Sequence, residues 1–420
     1  MNQHGRDDHE QTSKTQSSGV TTNRSMESHI AHFLHSEAEH IHFTPALRAQ
    51  ILQKLPSRQP QRRRTLTFVV LASAAALILA LSGLTYFALQ PATQTSNIYY
   101  SQEKEIAVAP QLANGGQLLS LDPTEHRIVY QPANQAGVLY MADLANPVES
   151  NALAMRYARD MAWAPDGSAL VATVTPANTV QPLLALVPKG QYMHLLGQNK
   201  ALAANWSPTN SDQIMFVQQQ NGQTKLWSTN TAGAPATLQL VLPEPLLIQH
   251  MSWSPDGHSL AFIASASPDG PISKETLDQP GRTIYVLNIQ THKLSKLVAA
   301  GNFRVGTVAW SPDSHALTFE QINNNNQISI QTVTINKPAE IISIVPGQQL
   351  EGWSWSTDGR AIVYSDGGTL KAHIFHGPEI KFPQTKAHYA SPFWLKNGQI
   401  LCMHVTDGKG ILTLLTPEKK

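Results

Sequence analysis

A tryptophan recurs through the second half of this chain at a nearly constant interval, and that period restricts the fold more than any other feature. Aligned on it, the segments read WAPDGSALVAT from Trp163, WSPTNSDQIMFV from Trp206 and WSPDGHSLAFI from Trp253. They continue with WSPDSHALTFE from Trp310, WSTDGRAIVYS from Trp355 and WLKNGQILCMH from Trp394. A degenerate copy, LDPTEHRIVYQ, starts at Leu121, and successive spacings are 42, 43, 47, 57, 45 and 39 residues. Seven copies at this period predict an all-β chain, a β-propeller of seven four-stranded blades.

Each copy can be read mechanically. The residues up to Trp form a strand. Ser-Pro-Asp-Gly is a turn in which proline presets φ and glycine accepts the left-handed conformation at the end. Asp166, Asp256, Asp313 and Asp358 recur at one place and are expected to bond the backbone of that turn. An alternating strand follows, then a third such as TIYVLNI from Thr283, and a fourth such as KLVAA from Lys296. Trp163, Trp206, Trp253, Trp310, Trp355 and Trp394 are large enough to fill the gaps between adjacent blades. The pattern resembles the TolB-type, WD-like propeller repeat over about residues 116–420, most closely at 253–257 and 310–313. The N-terminal α/β domain of that family is not expected here, because residues 90–116 leave no room for it, so the family's partners are not implied.

The last copy supplies only three strands. Residues 98–108, IYYSQEKEIAV, precede the first repeat and have strand character. They are expected to supply the missing outer strand, since an open ring would leave a long unpaired edge. The propeller is therefore expected over 98–420, after a linker at 90–97.

Ahead of it, Thr65 to Leu89 is a run of 25 uncharged, mostly aliphatic residues. About 20 such residues span a bilayer as a helix. Arg58, Arg62, Arg63 and Arg64 precede it, so the positive-inside rule puts residues 1–64 in the cytoplasm and the propeller outside. A cleaved signal peptide is the competing reading, but the preceding segment and the apolar core are both long for one. Within the tail, residues 1–24 are too polar to order. Two short amphipathic helices follow; in the second, Leu47, Ile51 and Leu55 recur every four residues between Pro45 and Pro56. This stripe is a candidate contact for a partner. His29, His32, His35, His40 and His42 lie nearby without metal-site spacing, so no metal is assigned.

The longest spacing comes from the loop 265–281, SASPDGPISKETLDQPG, which joins second and third strands. Its charged residues Asp269, Lys274, Glu275 and Asp278 are the candidate binding residues, the alternative being a tolerated insertion. Asn323 to Asn326 occupy the equivalent loop of the next blade. No nucleophile elbow, phosphate loop or cofactor motif is present, so neither catalytic residues nor cofactors are assigned. The formal net charge of +1 argues against nucleic acid as partner. The single cysteine, Cys402, excludes an intramolecular disulfide and is expected to be buried. The leading expectation is a non-catalytic interaction module on a single-pass anchor, with an unidentified protein partner. The runner-up is a transmembrane regulator, because the TPALRAQILQKLP segment from Thr44 is similar to the tails of membrane-bound anti-sigma factors. A propeller hydrolase or lyase is a lesser alternative.

Overall fold

The computed structural model describes residues 97–106, 110–156, 158–176, 181–190, 192–267, 272–338, 340–383, 385, 387–406 and 409–419. The tail with Leu47, Ile51 and Leu55, the apolar run 65–89 and most of the linker lie outside them, as does Asp269. Among the described residues no helix is long and apolar enough to cross a membrane.

The strands form seven sheets, in chain order around a ring. Blade 1 is β2 (Gly116–Leu121), β3 (Arg127–Pro132), β4 (Val138–Asp143) and β5 (Asn146–Arg156). Blade 2 is β6 (Asp160–Trp163), β7 (Ala169–Val174), β8 (Leu183–Pro188) and β9 (His194–Lys200). Blade 3 is β10 (Ala203–Ser207), β11 (Asn210–Gln220), β12 (Gln223–Thr229) and β13 (Thr237–Val241). Blade 4 is β14 (Leu246–Trp253), β15 (Ser259–Ala266), β16 (Thr283–Asn288) and β17 (Leu294–Val298). Blade 5 is β18 (Phe303–Trp310), β19 (Ala316–Asn323), β20 (Ile328–Thr334) and β21 (Ile341–Gln348). Blade 6 is β22 (Leu350–Trp355), β23 (Ala361–Asp366) and β24 (Thr369–Ile374). Blade 7 is β26 (His388–Trp394), β27 (Ile400–Thr406) and β28 (Lys409–Lys419), with β1 (Ile98–Ile106) beyond β28. First strands of neighbouring blades adjoin, as in β6–β10–β14–β18 and β22–β26–β2, so they line the axis.

The ring closes as the sequence leads one to expect. β1 pairs antiparallel with β28 from Ile98↔Lys419 to Ile106↔Leu412. Tyr100 fixes the start of β1: its hydroxyl donates to the Gly398 carbonyl at 2.7 Å, and its ring packs on Phe382 and Trp394. The Tyr389 hydroxyl donates to Glu103 farther along. Cys402 is fully buried here, and burial raises its thiol pKa.

The expectation of four strands in every blade needs one correction. Five sheets have four strands, blade 6 has three and blade 7 has five. The cause is a short strand, β25 (Ile380–Lys381), which follows β24 but pairs in parallel with Ile98 and Tyr99 of β1. Ile380 and Phe382 then pack against the apolar cluster of Tyr100, Leu370, Tyr389 and Leu415. The start of blade 6's outer strand is thus used to close blade 7.

The tryptophans lie between blades, and three of them make equivalent hydrogen bonds. The Trp206 indole N–H donates to the Ala162 carbonyl and that of Trp310 to the Ser252 carbonyl, both at 3.0 Å. Trp163 donates to the Ser120 hydroxyl at 3.0 Å. Each acceptor immediately precedes the equivalent residue one repeat back: Trp163, Trp253 and Leu121, respectively. Trp163, Trp206 and Trp310 are buried, whereas Trp253, Trp355 and Trp394 are only partly so.

Candidate functional site

The two faces of the ring differ. One carries the turns between first and second strands, the turn face. The other carries the loops from second to third strands and from each blade to the next, the loop face.

On the turn face the repeated aspartates serve the fold. Asp256 Oδ1 accepts from the Ser254 hydroxyl and the His258 N–H; Asp313 does the same with Ser311 and His315. Asp358 accepts from Ser356 and the Arg360 N–H, and Asp166 from the Ser168 N–H. These bonds hold all four carboxyls below their usual range, against an opposing effect of burial. Blade 1 inverts the arrangement: Asp122 stands where others have serine and Thr124 where others have aspartate. Asp122 still accepts from Thr124 and from the His126 and Arg127 N–H groups. The turns also touch one another. A Cβ on Gly167 (φ +70°) would lie 2.9 Å from Asp122 Oδ2, and one on Gly257 (φ +72°) would touch Pro208 and Thr209. Glycine is required at Gly167 for both its conformation and its closeness to the preceding turn.

The loop face is built differently. The insertion between β15 and β16 contains a one-turn helix, α1 (Lys274–Leu277), capped where the Ser273 hydroxyl accepts from the Thr276 N–H. Leu277 is buried with Leu202 and Leu247, from the starts of blades 3 and 4. Asp278 Oδ1 meets Arg159 at 2.6 Å, and Arg159 Nη1 donates to the Leu277 carbonyl at 2.8 Å. Arg159 lies between β5 and β6, so a loop from blade 4 is tied down at the start of blade 2. Of the sequence candidates, Asp278 is therefore a tether. Lys274 and Glu275 are exposed; backbone and Ser273 hydrogen bonds hold the Glu275 carboxyl below its usual range.

Toward the axis, Asp160 is buried and His250 partly so, with His250 Nδ1 2.7 Å from Asp160 Oδ1. Asp160 Oδ2 also accepts from the Ala204 and Met251 N–H groups. One carboxylate therefore joins the first strands of blades 2, 3 and 4. Burial lowers the His250 pKa, but the Asp160 charge and hydrogen bond outweigh this and raise it overall.

Between blades 5 and 6 the same face opens into a hollow of about 430 Å³, bordered by Asn325, Asn326, Gln327, Gln349 and Glu351. Asn323 Oδ1 accepts from the Asn325 and Gln327 N–H groups, and Arg304 donates to Asn326 at 2.9 Å. His388 Nε2 lies 2.5 Å from Glu351 Oε2. Sequence reasoning found this asparagine loop but not Arg159, Asp160, His250, Gln349, Glu351 or His388. A usable signal existed for two of them. Asp160 and His250 both stand three residues before the repeat tryptophan, where blade 3 has Ala203 and blade 7 has Ser391. Among the described residues, no group of three or more His, Cys, Asp or Glu is placed to hold a metal ion.

No protein-family model matches the chain. Protein HIR1 of Cryptococcus neoformans is 26% identical over 211 residues, 48% of this chain and 23% of that protein. The chain thus spans 23% of the length of the curated relatives it matches. Among solved structures, TolB from Acinetobacter baumannii is 16% identical with a TM-score of 0.41, over 70% of this chain and 64% of that one. The Cps50 (Swd1) β-propeller domain of Myceliophteria thermophila is 12% identical with a TM-score of 0.49, over 75% of this chain and all of that one. An oligogalacturonate lyase in complex with manganese is 14% identical with a TM-score of 0.46, over 78% and 95%. At such scores, the fold assignment rests on the seven sheets themselves.

Proposed function

We propose that the chain is a binding module tethered to a membrane, with residues 65–89 as a single span, 1–64 in the cytoplasm and the propeller outside. The loop face is the binding face and works without catalysis. The observation that carries this reading is the tie between Arg159 and the Asp278 loop. It holds the 272–281 part of a long insertion against the ring, and the same face carries, between blades 5 and 6, a hollow bordered by hydrogen-bonding amides. Binding residues are commonly loops held by a rigid scaffold.

The path of β1 adds to this. Ile98 pairs with Lys419 and Tyr100 bonds the turn-face residue Gly398, so the chain enters the ring at the turn face. The apolar run and its preceding arginines supply the span and its orientation.

Photo-crosslinking in cells tests the choice of face. A crosslinking residue replacing Lys274 or Gln349 on the loop face should trap a specific protein. One replacing Thr357 or Lys396 on the turn face should trap none. The reverse pattern would refute the assignment.

A further inference from the structure

Among the described residues seven large apolar or aromatic side chains are exposed, and six of them share one place in the fold. Tyr192 and Leu195 flank His194, the first residue of β9, and Leu238 is the second residue of β13. Ile341 and Ile342 open β21, and Phe375 directly follows β24. Each therefore sits where the chain leaves the third strand of a blade or begins the fourth. Strands alternate in direction within a blade, so this connection lies on the turn face. The exception is Val241, at the opposite end of β13.

Exposed apolar side chains scattered singly are ordinary. Here they are sorted: Tyr192 at 90% exposure and Ile342 at 58% belong to blades on different sides of the ring, yet to the same face. Exposed lysines accompany them, Lys189 in the connection after β8 and Lys337 in that after β20. Long cationic side chains of this kind lay an apolar stem on lipid and keep the charge in the headgroup layer. The turns nearer the axis carry Asp166, Asp256, Asp313 and Asp358, so apolar contact, and not attraction to anionic lipid, must hold such a face.

The length of chain ahead of the ring says what covers this rim. β1 starts at the turn face, and only eight residues separate Ile98 from the end of the apolar run at Leu89. Fully extended, eight residues reach no more than about 28 Å. With that run in a bilayer, the reading on which this inference rests, the face where β1 enters is the one kept near the lipid.

We propose that the turn-face rim rests on the outer leaflet, with Tyr192, Leu195, Leu238, Ile341, Ile342 and Phe375 in its interfacial layer. The propeller is then docked on the membrane with its loop face outward, and does not swing on its linker.

The test uses the full-length protein with Cys402→Ser and one added cysteine, labelled with a nitrobenzoxadiazole fluorophore and reconstituted in vesicles of brominated phosphatidylcholine. Leu238→Cys and Val241→Cys are the deciding pair, because they replace residues of one strand with similar exposure, 43% and 38%. The brominated lipid should quench the probe at Leu238→Cys, and likewise at Ile342→Cys, but not at Val241→Cys. Equal quenching at both ends of β13, or none at either, in protein that alkaline carbonate does not extract would overturn the docking and leave the span standing. Extraction by carbonate would refute the span, and the docking with it.

Discussion

Asp160 and His250 hold the same place in blades 2 and 4, three residues before the repeat tryptophan, and their side chains meet at 2.7 Å past Ala203 of blade 3. Because the folded His250 pKa is raised, the pair stabilises the protein fully below the unfolded value, about 6.5. That contribution disappears as pH rises through the folded value. The melting-temperature gap between the parent and His250→Gln should therefore be largest in mild acid and narrow as pH rises. A gap constant with pH would contradict the ion pair. Asp160→Ala should cost more than the histidine change at every pH, because it strands two backbone N–H donors at about 1–3 kcal/mol each.

Arg159 and Asp278 should behave differently. Asp278 is half exposed, so the pair is worth no more than about 1 kcal/mol to global stability. Its effect is local. Arg159→Ala should leave the melting temperature almost unchanged while speeding hydrogen exchange and protease cleavage across 272–282. Unchanged exchange in that segment would show that Leu277 alone holds the loop.

The tryptophans offer a graded test. Trp206 is 2% exposed, so Trp206→Ala should cost roughly 3–5 kcal/mol in chemical denaturation. Trp206→Phe keeps most of the packing and loses the bond to Ala162, about 1 kcal/mol plus a small cavity. Trp253 is only partly buried, so Trp253→Ala should cost less than Trp206→Ala. Equal costs would mean that burial does not set the contribution of this repeat position.

The features legible in the sequence are those made within one blade. Ser254, Asp256 and Gly257 form their turn from neighbours a few residues apart, so their spacing alone encodes it. Ring closure by β1 was also legible, because the last copy supplies only three strands and leaves one place unfilled. The ties between blades were not. Nothing near Arg159 in sequence points to Asp278, 119 residues away, and the Asp160–His250 contact depends on a small residue in the blade between them. The diversion of β25 into blade 7 was hidden too, since Ile380 and Phe382 suit either sheet. Of the four loop candidates, Asp278 proved a tether, Lys274 and Glu275 stand exposed, and Asp269 is not described.

The proposed cytoplasmic location of residues 1–64 yields its own expectation. A helix of the length that the sequence pattern predicts between Pro45 and Pro56 would be unstable alone in water, so its stripe of Leu47, Ile51 and Leu55 would need a covering surface. Leu47→Asp combined with Ile51→Asp should abolish capture of a cytoplasmic protein by a full-length bait and leave propeller melting unchanged. A partner set identical to that of the parent would remove the tail from the account.

The central claim is that the propeller and the tail lie on opposite sides of a membrane. The lone cysteine makes this directly measurable. With Cys402 replaced by serine, single cysteines are placed at Ser36 in the tail and at Lys274 on the loop face. A membrane-impermeant maleimide applied to intact spheroplasts should label Lys274→Cys at once and Ser36→Cys only after lysis. Labelling of both before lysis, of neither, or of Ser36→Cys alone would contradict the proposed topology.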